Sequence, residues 1–143
     1  MCKKGWPFEW VNHCYLCIKN GEAVNHLLIH CELVWSIWCF FLKEWSVVWV
    51  TPPDLITLIR SWPTRAISPR RQLVLKVLPA AVLWCLWDER NKKAFDNVSR
   101  NEKAIIDSVK LTIAYWLHNR GVFYGISLEQ LAISWKEVLF EPP

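Results

Sequence analysis

Glycine is scarce in this chain, with four residues in 143. That leaves no glycine-rich loop of the kind that cradles phosphates ahead of a nucleotide-binding helix. Long apolar runs are also missing. The longest, Leu33 to Leu42, is bounded by Glu32 and by Lys43-Glu44, and the stretch from Leu73 to Trp87 contains Lys76 and Pro79. A membrane-spanning helix needs about 20 apolar residues, so no membrane span is expected. The start, Met1-Cys2-Lys3-Lys4-Gly5-Trp6-Pro7, has no apolar core of a secretory leader. The expectation is an intracellular, non-secreted protein, with the nucleus among the compartments left open. There is no internal repeat and no low-complexity segment. Ser, His and Asp fall at no spacing that singles out a nucleophile, and no small-molecule substrate suggests itself.

What the chain does have is hydrophobicity: 53% of residues are apolar and eleven are tryptophan. That is far too apolar for a disordered tail, and the length suits one domain with a real core. The net charge is only +4, but it is uneven. Residues 51–100 carry nine cations against four carboxylates, whereas residues 1–50 carry four of each. Arg60, Arg65, Arg70, Arg71, Lys76, Arg90, Lys92, Lys93 and Arg100 supply the excess. Such a cluster binds phosphate backbones; it is equally the composition of a solvated helix face. Six cysteines in a chain read as non-secreted point to metal or thiols rather than disulfides. Cys39 and Cys85 lie within apolar runs and are expected in the core.

Trp6-Pro7 and Asn20-Gly21 are turn signals, and they predict a small hairpin carrying Cys14 and Cys17 in its bend. From Glu22 the pattern turns helical. Val24, Leu27, Leu28, Cys31, Trp35, Trp38, Leu42 and Trp45 predict one long amphipathic helix ending before Thr51-Pro52-Pro53. A short helix is expected over 54–62, then a basic linker with prolines. A second long helix should run from about Arg70 to Asn97. Leu73, Val77, Ala80, Trp84, Trp87, Asn91, Ala94 and Phe95 form one stripe on it, and Leu75, Leu78, Val82 and Leu86 a second, which predicts a helix central to a bundle. Pro79 removes one hydrogen bond and should kink it. Asn101 should cap a third helix through His118, and Ser127 a last one through Leu139. Most tryptophans fall on inward stripes; Trp6, Trp10, Trp49 and Trp62 do not, which leaves stacking on bases open to them. Asp88, Glu89 and Arg90 read as a solvated, salt-bridged face, with Glu89 and Lys93 as an i,i+4 pair. Arg90 and Asn91 are expected to brace the N-terminal region.

The sequence therefore predicts a mainly α fold: a small zinc-binding hairpin packed on a bundle of three to four helices. Residues 1–97 would form the zinc-binding domain and 98–143 a helical extension of the same compact unit.

Cys14, Cys17, His26 and Cys31 form a ligand set for one tetrahedral zinc ion, which takes thiolate sulfur at about 2.3 Å and imidazole nitrogen at about 2.0–2.1 Å. One tight turn can present both Cys14 and Cys17. The step from His26 to Cys31 is harder, because positions five apart on an α-helix differ by about 140° in azimuth. Those two share an ion only if the first helical turn is distorted or starts late. His30, four residues after His26, is the rival on geometry, and His13 a weaker third. The alternative is that Cys31 is a buried thiol of its helix and both histidines lie at the surface.

These residues carry a resemblance. Cys14-x2-Cys17, the run from Glu22 to Cys31, and Trp38 seven residues on are similar to the zinc-binding domain that follows the reverse transcriptase in plant LINE-type non-LTR retrotransposons. A second block, from Pro79 through Trp84 and Trp87-Asp88-Glu89-Arg90-Asn91 to Ala94-Phe95, resembles that family's apolar helix and its Trp-x-Glu-Arg-Asn-x-x-x-Phe signature. The match covers roughly residues 6–97; Trp116 and the last helix resemble the loosely kept tail that often follows. The resemblance implies Cys14, Cys17, His26 and Cys31 as ligands and does not require His30. It also implies a unit normally joined to reverse transcriptase or ribonuclease H regions. The chain departs from the family in carrying no Tyr-x-Asp-Asp-like carboxylate pair for two-metal chemistry and no ribonuclease H carboxylate set, so it resembles a detached fragment of an element.

The function expected from sequence is a structural zinc-binding domain, not an enzyme, that serves as an accessory for RNA or DNA. Arg70, Arg71, Lys92 and Lys93 are its candidate phosphate contacts. The competing expectation is a structural or protein-interaction spacer, a fragment that has lost its function.

Overall fold

The computed structural model describes Leu16 and residues 25–140. The predicted hairpin, with Cys14 and Cys17, lies outside the described residues, as do Trp6, Trp10 and His13. Among the described residues there is no strand. A π-helical turn, His26–His30, leads into six α-helices: α1 (Glu32–Glu44), α2 (Leu55–Ser61), α3 (Pro69–Asp96), α4 (Glu102–Leu117), α5 (Leu128–Ile133) and α6 (Trp135–Leu139). The mainly helical expectation holds. No described helix is long and apolar enough to cross a membrane.

The helix starts follow local chemistry. A side-chain oxygen that accepts the first free N–H groups substitutes for the missing preceding turn. Asp54 accepts from Thr57 N at 2.7 Å to start α2, and Asn101 from Ala104 N at 2.8 Å to start α4. Ser68 caps α3 with Pro69 in its first turn, where a missing N–H costs nothing. Ser127 and Gln130 close a reciprocal capping box on α5. The left-handed Asn97 (φ 53°) ends α3.

The core is assembled from one face each of α1, α3 and α4. Val34, Ile37, Trp38 and Phe41 meet Leu75, Leu78, Val82 and Leu86 of α3 and Ile105, Val109 and Ile113 of α4 within one buried cluster. Leu58, Phe123, Leu131, Trp135 and Leu139 complete it. Arg70 and Arg71, at the start of α3, hold the far end of the chain. The Arg71 guanidinium donates to the carbonyls of Leu139 and Phe140, both at 2.7 Å, and Arg70 donates to those of Val122 and Val138 at 3.2 and 3.4 Å. The last carbonyls of a helix have no donor within it, and these two side chains supply them.

Pro79 sits inside α3 without ending it. A proline at position 79 withholds the N–H that the Leu75 carbonyl would otherwise accept. The Trp62 indole N–H donates to that carbonyl instead, at 2.8 Å. Trp62 is buried and stacks edge-on with Trp38 and Trp49, at 5.4 and 5.2 Å.

Several expectations are corrected. The long first helix is two pieces, because Cys31 adopts an extended ψ of 135° between the π turn and α1. It also stops at Glu44, ahead of Ser46 at φ 57°, and the β-branched run after it does not continue the helix. The break turns α1 so that Val34, Ile37 and Phe41 are buried and Trp35 is only partly so. Cys39 is exposed rather than core, whereas Cys85 is buried against Thr112. The last helix divides at Ser134. Only the second stripe of α3 is buried; Trp84, Trp87 and Phe95 of the first face outward.

Glu44 gives one pH-dependent expectation. It accepts the Trp135 indole N–H at 3.1 Å, and burial pushes its carboxyl above the ordinary value of 4.5, against the weaker opposing pull of Trp135, Lys110 and Lys136. A carboxyl whose pKa is raised on folding destabilises the fold as pH climbs through its unfolded value toward its folded one. Glu44→Gln keeps an acceptor for Trp135 and removes that penalty. Its melting temperature should exceed the parent's at pH 7 and converge with it below the unfolded value of 4.5, which thermal melts across that pH range would measure.

Candidate metal centre and the surface around it

Of the predicted ligands, His26 and Cys31 are described. The turn that joins them is wound wider than an α-helix. The Cys31 N–H donates to the His26 carbonyl at 2.7 Å, an i+5 to i bond. Such a turn holds more residues per revolution than an α-helix, so position 31 lies nearer the azimuth of position 26 than α-helical winding would place it. This is the distorted first turn that the sequence required of a His26–Cys31 pair. Cys31 is fully buried and His26 half-buried.

The neighbours explain why the turn winds this way. Asn25 Oδ1 accepts from Leu55 N at 3.1 Å. The Leu28 carbonyl, left without a helical donor by the break at Cys31, accepts the Trp38 indole N–H at 2.8 Å. His30 Nε2 donates to the Pro52 carbonyl, also at 2.8 Å. Each bond reaches at least ten residues along the chain, so the turn is fixed by tertiary partners. His30, the rival on α-helical geometry, spends its Nε2 on the segment before α2. The chemistry of the two described donors, a thiol and an imidazole on one wide turn, suits zinc. Among the described residues alone, no group of three or more His, Cys, Asp or Glu converges on a point; the remaining proposed donors, Cys14 and Cys17, lie outside the described residues.

The four candidate phosphate contacts do not form one patch. Arg70 and Arg71 are held by the carbonyls named above, and their guanidinium groups also lie over the rings of Phe123 and Phe140 at 5.7 and 4.9 Å. Lys92 and Lys93 lie at the other end of α3, about 33 Å from Arg71 along the axis at 1.5 Å per residue. Lys92 pairs with Asp88 at 3.0 Å. Glu89 is not the expected partner of Lys93. It is the one buried charged residue among those described, and it accepts from Arg100 Nε at 2.9 Å and from a second guanidinium nitrogen of the same arginine. Arg90 donates to Asn91 Oδ1 at 3.1 Å and lies over the Trp87 ring at 5.2 Å.

Trp35, Trp38, Trp45, Trp116 and Trp135 lie in or against the core as expected, but four tryptophans are placed otherwise. Trp49 and Trp62, thought free to stack on bases, pack against the core, whereas Trp84 and Trp87 are exposed. The signal was present in α3. Its outer stripe includes Asn91 and passes beside Asp88 and Lys76, while the stripe of Leu75, Leu78, Val82 and Leu86 has no polar member.

No family model, no curated protein and no solved structure matches this chain.

Proposed function

We propose that the chain is a structural zinc-binding domain built on Cys14, Cys17, His26 and Cys31, related to the zinc-binding domain that follows the reverse transcriptase in plant LINE-type retrotransposons. Its role is that of a non-catalytic nucleic-acid accessory to the reverse transcriptase or ribonuclease H regions of such an element. The observation that supports it best is the π turn, in which the Cys31 N–H bonds to the His26 carbonyl and so reduces the angular separation of the two positions relative to an α-helix. Bound zinc would supply a closed shell of thiolate and imidazole and part of the folding free energy. His26 and Cys31 would contribute two ligands from a turn already braced by Trp38, His30 and Asn25. With Arg70 and Arg71 engaged in the fold, the phosphate contacts of this reading pass to Lys92 and Lys93.

The first test is native mass spectrometry of the purified chain beside Cys14→Ser, Cys31→Ser and His30→Gln. One zinc per chain is expected in the parent and in His30→Gln, and none in either cysteine variant. Retention of zinc by Cys31→Ser together with its loss from His30→Gln would replace Cys31 by His30 in the ligand set. A folded parent without zinc would end the reading.

The spacer reading has its own observation. Val48, Val50 and Ile67 are 100%, 84% and 92% exposed, and exposed aliphatic side chains are what a lost protein neighbour would have covered. Concentration-dependent self-association of a chain that fails to bind nucleic acid would favour it.

A further inference from the structure

We propose that the outward face of α3, formed by Trp84, Trp87 and Phe95, binds single-stranded nucleic acid by stacking its bases. The inference rests on the nucleic-acid reading above and gives it a site. The three rings are 63%, 48% and 78% exposed. They lie at i, i+3 and i+11, on one side of the helix and within about 16 Å along its axis at 1.5 Å per residue.

The indole N–H groups of Trp84 and Trp87 take no part in the hydrogen bonds of the described residues. Trp38, Trp45, Trp62 and Trp135 each donate their N–H to a carbonyl or carboxylate of the protein. Trp84 and Trp87 have no such partner among the described residues. Among the described residues, the one ring contact they make is that of the Arg90 guanidinium on Trp87. Large flat side chains held at the surface and left out of the core are the usual platforms for unpaired bases, because every base has a face to stack.

The surroundings favour a polyanion over a protein helix. A helix that docks in a partner's groove presents apolar anchors at i, i+3, i+4 and i+7, and here the i+4 and i+7 positions after Trp84 are Asp88 and Asn91. The carboxylate of Asp88 is neutralised by Lys92 at 3.0 Å. Lys76, exposed, and Arg90, half-buried, line the other flank, so a backbone running along that side of the stacked bases meets cations. Duplex bases are already stacked on each other, which makes a single strand the ligand.

The experiment is fluorescence anisotropy with the full chain, using labelled oligo-dT and oligo-U and a hairpin duplex of equal length. The parent should bind the single strands more tightly than the duplex. Trp84→Ala and Trp87→Ala should each weaken single-strand binding at least about fivefold. Trp84→Phe should keep most of it, and Tyr124→Ala, an exposed ring off this face, should change nothing. Thermal melts should be unaltered in Trp84→Ala, Trp84→Phe and Tyr124→Ala, whose rings are mostly exposed, and should change little in Trp87→Ala, which loses the Arg90 contact. Equal binding by the ring variants and the parent would overturn the site and leave the nucleic-acid reading standing, as would equal affinity for duplex. A parent that binds no nucleic acid would remove both. If the ring variants instead abolish self-association of the parent, the face docks protein and the proposal fails.

Discussion

Trp38→Ala should lower the stability of the chain by about 3–5 kcal/mol, the range for emptying a fully buried aromatic site. Trp38 is completely buried, packs edge-on against Trp62, and carries the N–H that the Leu28 carbonyl requires. Trp38→Phe separates the two roles. It keeps a ring in the core and leaves the carbonyl unpaired, a loss of about 1–3 kcal/mol. Because Leu28 lies within the π turn, this second variant should weaken zinc binding more than Leu131→Ala, a buried substitution far along the chain. Urea melts would give the stabilities, and competition with a chelator the metal affinities. Equal zinc affinity in the two variants would mean that the turn does not depend on Trp38.

The second large effect is expected at Glu89 and Arg100. Arg100→Met leaves a buried carboxylate without its cation and should cost about 3 kcal/mol, the lower end for breaking a buried ion pair, since the arginine side chain itself is a third exposed. The double variant Glu89→Leu/Arg100→Met should recover most of that loss, because a well-packed apolar pair of similar volume is often as stable as the ion pair it replaces. A double-mutant cycle read by urea denaturation measures the coupling. Additive losses would show that the pair is not what joins the end of the α3–α4 connection to the core. Surface pairs offer a contrast: Lys103 and Asp107, mostly exposed, should respond to salt and contribute little.

Much of this arrangement was legible in the sequence where local chemistry decides it. Asn101 and Ser127 announce themselves as caps, and α3 through its length and its punctuation by Pro69 and Asn97. What could not be read depends on distant partners. The turn at His26 looked like the start of an α-helix because nothing near it shows that Asn25, Leu28 and His30 will bond to Leu55, Trp38 and Pro52. Glu89 sits at a position where the helix pattern alone offers Lys93; its partner Arg100 comes from the connection beyond the helix. The outer stripe of α3 has more apolar members than the buried one, and the signs that it faces solvent are Asn91 within it and Asp88 and Lys76 beside it. For Arg70 and Arg71, composition suggested a ligand outside the protein, and the ligand is the protein's own last helix.

The exchange between Pro79 and Trp62 has a consequence for how such a chain can change over time. The indole and the imide are complementary defects: each leaves one hydrogen-bonding group without an ordinary partner, and each is mended by the other. Replacing Trp62 while Pro79 remains leaves the buried carbonyl unsatisfied. Replacing Pro79 first does not, because a carbonyl oxygen has two lone pairs and can accept a helical N–H beside the indole. The order of change is therefore fixed: among relatives of this chain a proline at position 79 should occur only with a tryptophan at position 62, seventeen residues away in the sequence, whereas the tryptophan can occur without the proline.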